Sequence, residues 1–197
     1  MNNWIHTFTG RRFYPLNPRP DDVCIEDIAH ALALKCRWTG HCATFYSIAQ
    51  HSVHVAQELR KGGHSARVQL AGLLHDAGEA YLPDVASPIK HAMRFAVPDA
   101  TDPVDFRLHE AVLLRAICDG LGLPDLAAVM DGPAVRTADL VMLATEARDL
   151  MHGVGDWPWT PPSPRERPVA PMPPAHCETE FRSWFDGLCA ECKAVDP

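Results

Sequence analysis

The chain has 197 residues, is 47% hydrophobic and 22% charged, and carries a formal net charge of -7. That length suffices for one domain with a sizeable core, and the composition is that of an ordinary globular protein rather than a disordered or fibrous one. The negative charge argues against a partner such as duplex nucleic acid, which needs a broad basic face. No run of 18 apolar residues offers a membrane span, and the opening MNNWIHTFTGRRF lacks the apolar stretch of a secretory signal. A cytoplasmic chain with no membrane partner is the expectation.

In chain order, residues 1–22 read as extended and loop-like, punctuated by Pro15, Pro18 and Pro20. CIEDIAHALALKC then places Ile25, Ile28, Ala29 and Leu32 on one helical face. Gly40 interrupts, and TFYSIAQHSVHVAQELR predicts a helix over residues 44–60 that includes Phe45 in its apolar stripe and stops at Gly62 and Gly63. Ser65 can cap a helix over residues 65–81, SARVQLAGLLHDAGEAY. Ser87 and Pro88 begin a short helix, and Asp102 with Pro103 repeats that start signal before VDFRLHEAVLLRAICDGLG. Residues 125–130 suit one more short turn, and Pro133 opens PAVRTADLVMLATEARDLM. Residues 157–174 hold eight of the 18 prolines, so they form an irregular arm, either draped over the protein or reaching a neighbour. CETEFRSWFDGLCAEC closes the chain as an amphipathic helix. No segment of weight has the strand period, so the fold class is all-α. The organisation expected is a main domain over 1–156, a Pro-rich connection over 157–174, and a C-terminal helix over 175–197 that packs on the same domain.

LLHDAGEAYLPD raises the chemical question. An apolar helix that runs into His75 and Asp76 buries an imidazole beside a carboxylate, and something must offset that cost. His51, in AQHSVHVAQ, and Asp139, in TADLVML, also sit mid-helix beside apolar faces. Two imidazoles and two carboxylates from three helices suit a divalent cation such as Mn, Fe, Co, Ni or Zn, with open positions left for water and a substrate oxygen. Each residue taken alone is more commonly a core histidine, a cap or a salt-bridge partner; the four in this order are what point to a metal.

The pattern H…HD…D, carried by QHSVHVA, LLHDAGE and TADLVML, resembles the HD-domain metal-dependent phosphohydrolases over about residues 25–150. Within that family the chain is similar to the short nucleotide-cleaving branch, which includes bacterial 5'-deoxynucleotidases and phage dATP triphosphohydrolases; WIHTFTGRRFYP and CRWTGHCATFYSIAQHS are closer to the compact phage and bacterial members. The resemblance implies a single HD-domain helical bundle with His51, His75, Asp76 and Asp139 as ligands to one divalent metal per chain, and Mg accompanying a triphosphate. It implies hydrolysis of deoxynucleotides, dATP first, to deoxynucleoside and triphosphate. The alternatives are a 5'-deoxynucleotidase on monophosphates, a non-catalytic nucleotide-binding module, and a dinucleotide phosphodiesterase recruiting His54 or His41 to a second metal. Homo-oligomers are implied, and a host cytoplasm if the chain is phage-encoded.

Glu79, four residues after His75 and so expected on the same helix face, suits proton handling at the metal. Asp84 suits positioning water or meeting a sugar hydroxyl, against a loop Asp bonding its own turn. Lys90 and Arg37 suit phosphate binding, and Trp38 suits stacking on a base; for Arg37 and Trp38 the other readings are an ion pair and a core position. Arg11 and Arg12 either reach the substrate or fix the N-terminal segment. Glu146 and Arg148 are expected to tie helices together. The seven cysteines read as free thiols; Cys189 and Cys192 form a CxxC that suits a zinc site with His176 and Cys177 less well than two thiols one turn apart on a helix.

Overall fold

The computed structural model describes residues 3–98, 100–153 and 159–195 and is all-α, as expected. Among the described residues eight α-helices carry the fold: α1 (Ile25–Leu34), α2 (Ile48–Lys61), α3 (Ala66–Leu74), α4 (Ser87–Lys90), α5 (Phe106–Gly120), α6 (Leu126–Met130), α7 (Pro133–Leu150) and α8 (Pro174–Val195). Two antiparallel two-stranded ladders accompany them, β1 (Ile5–His6) with β2 (Arg12–Phe13) and β3 (Arg94–Phe95) with β4 (Val104–Asp105). Among the described residues no helix is long and apolar enough to cross a membrane.

The centre of the molecule is α2. It packs against α1, α3, α7 and α8, and every residue from Ile48 to Ala56 is buried. A helix enclosed on nearly all sides has no polar face to give to water, so its polar residues must find partners inside the protein. The chain starts α2 at Ile48 rather than at residue 44, because the Ser47 hydroxyl accepts the Gln50 N–H and so caps the helix there. Phe45 falls outside it, 37% exposed. Ser65 caps α3 in the same way, through the Val68 N–H. α5 is capped by Asp105, which accepts from the Arg107 N–H, and not by Asp102.

The largest departure from the sequence reading lies at the end of α3. The helix expected over residues 65–81 stops at Leu74; Asp76 leaves helical geometry (φ -99°, ψ 13°), and a 3-10 turn follows over Ala77–Ala80. Lys35, just past α1, supports the break. Its ammonium donates to the carbonyls of Glu79, Ala80 and Leu82, holding the end of the turn against α1. Glu79 therefore sits on a tight turn and not on a shared helix face with His75.

The Pro-rich arm is draped over its own chain. Residues 157 and 158 lie outside the described residues; from 159 to 173 the backbone is irregular. The Gln50 side chain of α2 donates to the Ala170 carbonyl and accepts the Met172 N–H, Asp149 accepts from Val169, and the Arg165 N–H meets the Thr145 hydroxyl. Val169 is buried. Arg148 holds the same segment through the Arg165 carbonyl. α8 then returns along α1, α2 and α3.

Candidate metal centre

His51, His75, Asp76 and Asp139 come together from α2, the α3 terminus and α7. His51 Nε2 lies 3.4 Å from His75 Nε2, 3.2 Å from Asp139 Oδ1 and 3.8 Å from Asp76 Oδ2. His75 Nε2 lies 3.3 Å from Asp76 Oδ2 and 3.8 Å from Asp139 Oδ1. In a continuous helix neighbouring side chains diverge by about 100°; the break at Asp76 brings its carboxylate round to the His75 ring. His51, His75 and Asp76 form a group whose ligand atoms all lie within 4.8 Å of one another, close enough to hold a metal ion. Asp139 adds its oxygen as a fourth donor atom beside both imidazoles.

The outer nitrogens decide what the inner ones offer. His51 Nδ1 is 2.6 Å from Glu146 Oε1, and His75 Nδ1 is 2.7 Å from the Gly72 carbonyl. Both partners are acceptors, so each Nδ1 carries the proton and each Nε2 presents a lone pair. Two lone pairs facing each other at 3.4 Å, flanked by carboxylates, repel unless a cation stands among them or a proton is taken up. The electrostatics agree. Burial opposes the charged imidazolium of His75, yet Asp76 and Asp139 outweigh it and push the group up to about 9. His51 is likewise raised, with burial and Arg37 opposing and Glu146 and Asp139 prevailing. Burial opposes ionisation of Asp76, but His75, His51 and Arg37 hold it below its usual range. Burial is outweighed at Asp139 too, by its bonds to both imidazoles. The donor set fits a divalent cation.

Glu146 is completely buried and was not expected at the centre. It bonds His51 with one oxygen and Arg37 Nε, at 3.0 Å, with the other. Arg37 also reaches Asp76 at 3.2 Å. Burial works against the Glu146 carboxylate, but Arg37 and His51 overcome it and hold the group down at about 2. Arg37 is thus part of a buried ion-pair network, with only part of its guanidinium left for a ligand.

A cleft of about 330 Å³ opens beside the cluster, lined by Asp76, Asp139 and Arg37 and by Glu79, Asp84, Lys90, Arg107 and Glu110. Four of the expected site residues outside the cluster therefore meet there. Trp38 does not line the cleft; it is half-buried on the Arg37 loop, with φ of 58°. Lys90 lies 3.0 Å from Glu110 and 3.5 Å from Glu79 Oε1; burial opposes its charge, but Glu110 and Glu79 raise its pKa. The other Glu79 oxygen is buried with no hydrogen-bond partner among the described residues. Burial, reinforced by Asp76 and Asp84, pushes Glu79 up to about 8.

Other candidates lie elsewhere. Arg11 bonds the Val23 carbonyl and Arg12 stacks on Trp4, so both serve the N-terminal segment. His41 is exposed. His54 Nδ1 meets the Tyr46 hydroxyl at 2.9 Å. Cys189 and Cys192 pack against the core on α8, and among the described residues they belong to no metal-holding group. Arg107 and Glu110 of α5, like Lys35 and the roles of Gly72 and Glu146, escaped sequence reading because their parts are set by contacts from distant segments.

Fold and site together define an all-α protein with a His-His-Asp group, His51 buried and His75 and Asp76 part-buried, able to hold a metal ion. No family model matches the chain. It is 35% identical over 191 residues to the uncharacterized protein YfdR of Escherichia coli (strain K12), spanning 94% of this chain and 96% of that one. It is 38% identical over 154 residues to the uncharacterized protein RCAP_rcc00048 of Rhodobacter capsulatus, spanning 75% and 72% respectively. The chain belongs to the family of YfdR.

Proposed function

We propose that the protein is an HD-domain metal-dependent phosphohydrolase acting on deoxynucleotides, with a deoxynucleoside triphosphate, dATP first, as substrate. The observation that carries the reading is the pair of imidazoles whose proton-bearing sides are tied to Glu146 and Gly72 and whose Nε2 atoms converge with two carboxylates at the wall of a polar cleft. His51, His75, Asp76 and Asp139 hold one divalent cation of the Mn, Fe, Co, Ni or Zn type. Bound there, such an ion supplies Lewis acidity towards a phosphoryl oxygen and lowers the pKa of water.

The chain's own groups do the rest. Water attacks the α phosphorus, the bond from phosphorus to the 5' oxygen breaks, and that oxygen takes up a proton. Glu79, whose pKa is raised by burial with Asp76 and Asp84 and one of whose oxygens has no partner among the described residues, handles that proton. Asp84, on the same cleft wall, orients the attacking water. Lys90, Arg107 and the remaining face of Arg37 balance charge on the phosphoryl oxygens. His54 is turned onto Tyr46 and His41 is exposed, which favours one metal over the two of a diesterase.

The test is product analysis with Mn or Co on dATP, dGTP, dAMP and ATP, alongside metal content per chain. Deoxyadenosine with intact triphosphate, and about one metal per chain, is expected. Deoxyadenosine from dAMP alone would make it a 5'-deoxynucleotidase. No turnover with metal bound would overturn the reading.

A further inference from the structure

A second cavity, about 590 Å³, lies between α5, α6 and α7. Arg107, Glu110, Ala111, Leu114 and Arg115 line it from α5, a spacing that places them on one helical face. Arg136 lines it from the first turn of α7, and Asp131 is its remaining acidic residue. Glu110 is held by Lys90. The side chains of Arg107, Arg115 and Arg136 have no ion pair and no hydrogen bond among the described residues; the Arg107 and Arg136 bonds to Asp105 and Gly132 are made by the backbone N–H. Three unpaired guanidinium groups on one groove are a standing attraction for a multiply charged anion.

Both walls of this groove lead to the metal centre. On α5, Arg107 and Glu110 line the groove and the metal-side cleft alike. On α7, Arg136 precedes Asp139 by three residues and so shares its face. From Arg107 to Arg115 is roughly 12 Å along the helix axis, a distance on the scale of an extended triphosphate.

We propose that the α5–α7 groove is the subsite for the β and γ phosphates of a nucleoside triphosphate, with Arg115 and Arg136 as its specificity-determining residues. The assignment rests on the phosphohydrolase reading and deepens it: the α phosphate stands at the metal centre, the β and γ phosphates lie along the groove, and the reaction releases all three together as tripolyphosphate. A monophosphate leaves the groove empty.

The experiment is calorimetric titration of the metal-loaded protein with Mg-saturated inorganic tripolyphosphate and, separately, with orthophosphate. Wild type is expected to bind tripolyphosphate more tightly than orthophosphate. Arg115→Gln/Arg136→Gln is expected to lose about a hundredfold in tripolyphosphate affinity, while Arg167→Gln, on the distant arm, leaves it unchanged. Circular dichroism and metal content establish that the double variant is folded. An equal affinity for tripolyphosphate in wild type and double variant overturns the groove assignment, even if dATP is hydrolysed. Loss of binding in the double variant sustains the groove as a polyphosphate site, and if no nucleotide is turned over it is the hydrolytic reading that falls.

Discussion

At the scale of single residues, the site depends on groups that touch its histidines from behind. Glu146 fixes the His51 tautomer and neutralises Arg37 at once. In Glu146→Gln one of the two accepting oxygens becomes an NH2, which cannot accept from His51 or Arg37, and the buried charge that balances Arg37 and strengthens His51 as a ligand is gone. Metal affinity is expected to fall about 10–100-fold, measured by competition with a chelator; an unchanged constant would leave Glu146 with a packing role only. Glu79→Gln tests a different point. The side chain lies beside the cluster without belonging to it, so metal content should be retained while kcat falls about a hundredfold or more. A kcat within a few-fold of wild type would remove Glu79 from proton transfer. These two glutamates show unequal legibility. Glu79 stands next to the HD pair and its place beside the centre was readable; Glu146 lies 95 residues from His51 in the chain, and nothing local distinguishes it from a carboxylate tying two helices.

At the scale of elements, the contact of α2 with α3 sets the geometry of the centre. Gly72 makes it possible. A Cβ there would lie 2.3 Å from Leu59 Cδ1 and 3.2 Å from Val55 Cγ1, and both side chains are buried with little room to yield. The same residue supplies the carbonyl that orients His75. Gly72→Ala is therefore expected to cost about 1–3 kcal/mol of stability, and metal affinity should fall with it. Denaturant unfolding and metal titration of one preparation check both; a variant with wild-type midpoint and affinity would show that α2 and α3 can separate freely. The element boundaries teach a related lesson. Ser65 and Pro133 marked helix starts because capping is local chemistry, whereas the Ser47 cap was passed over for a start at residue 44. The end of α3 escaped detection because its continuation, LLHDAGEAY, has good helical periodicity, and the competing interaction comes from Lys35, 44 residues from Glu79.

At the scale of the whole molecule, the polar residues enclosed with α2 make stability depend on pH. His54 is 8% exposed. Burial, with Arg165 adding to it, drops its pKa from 6.5 to about 3. The fold therefore holds the neutral ring: stability is full above pH 6.5, and as pH falls the unfolded chain takes up a proton that the folded chain refuses until near pH 3. Between pH 8 and pH 5 this one group should remove about 2 kcal/mol. Chemical unfolding of wild type and His54→Gln across that range checks it; parallel pH dependence in the two proteins would show that other groups dominate.

Composition, apolar period and capping residues were enough for an all-α chain, for most helix positions, and for the four chemically distinctive residues His51, His75, Asp76 and Asp139, because each of those signals is carried by a residue and its near neighbours. The break at Asp76, the role of Glu146, the Arg107–Arg115–Arg136 groove and the lie of the Pro-rich arm on Gln50 depend on pairings between segments far apart in the chain. Such pairings are selected by which buried polar group can be satisfied once the helices pack, and no local pattern encodes that choice.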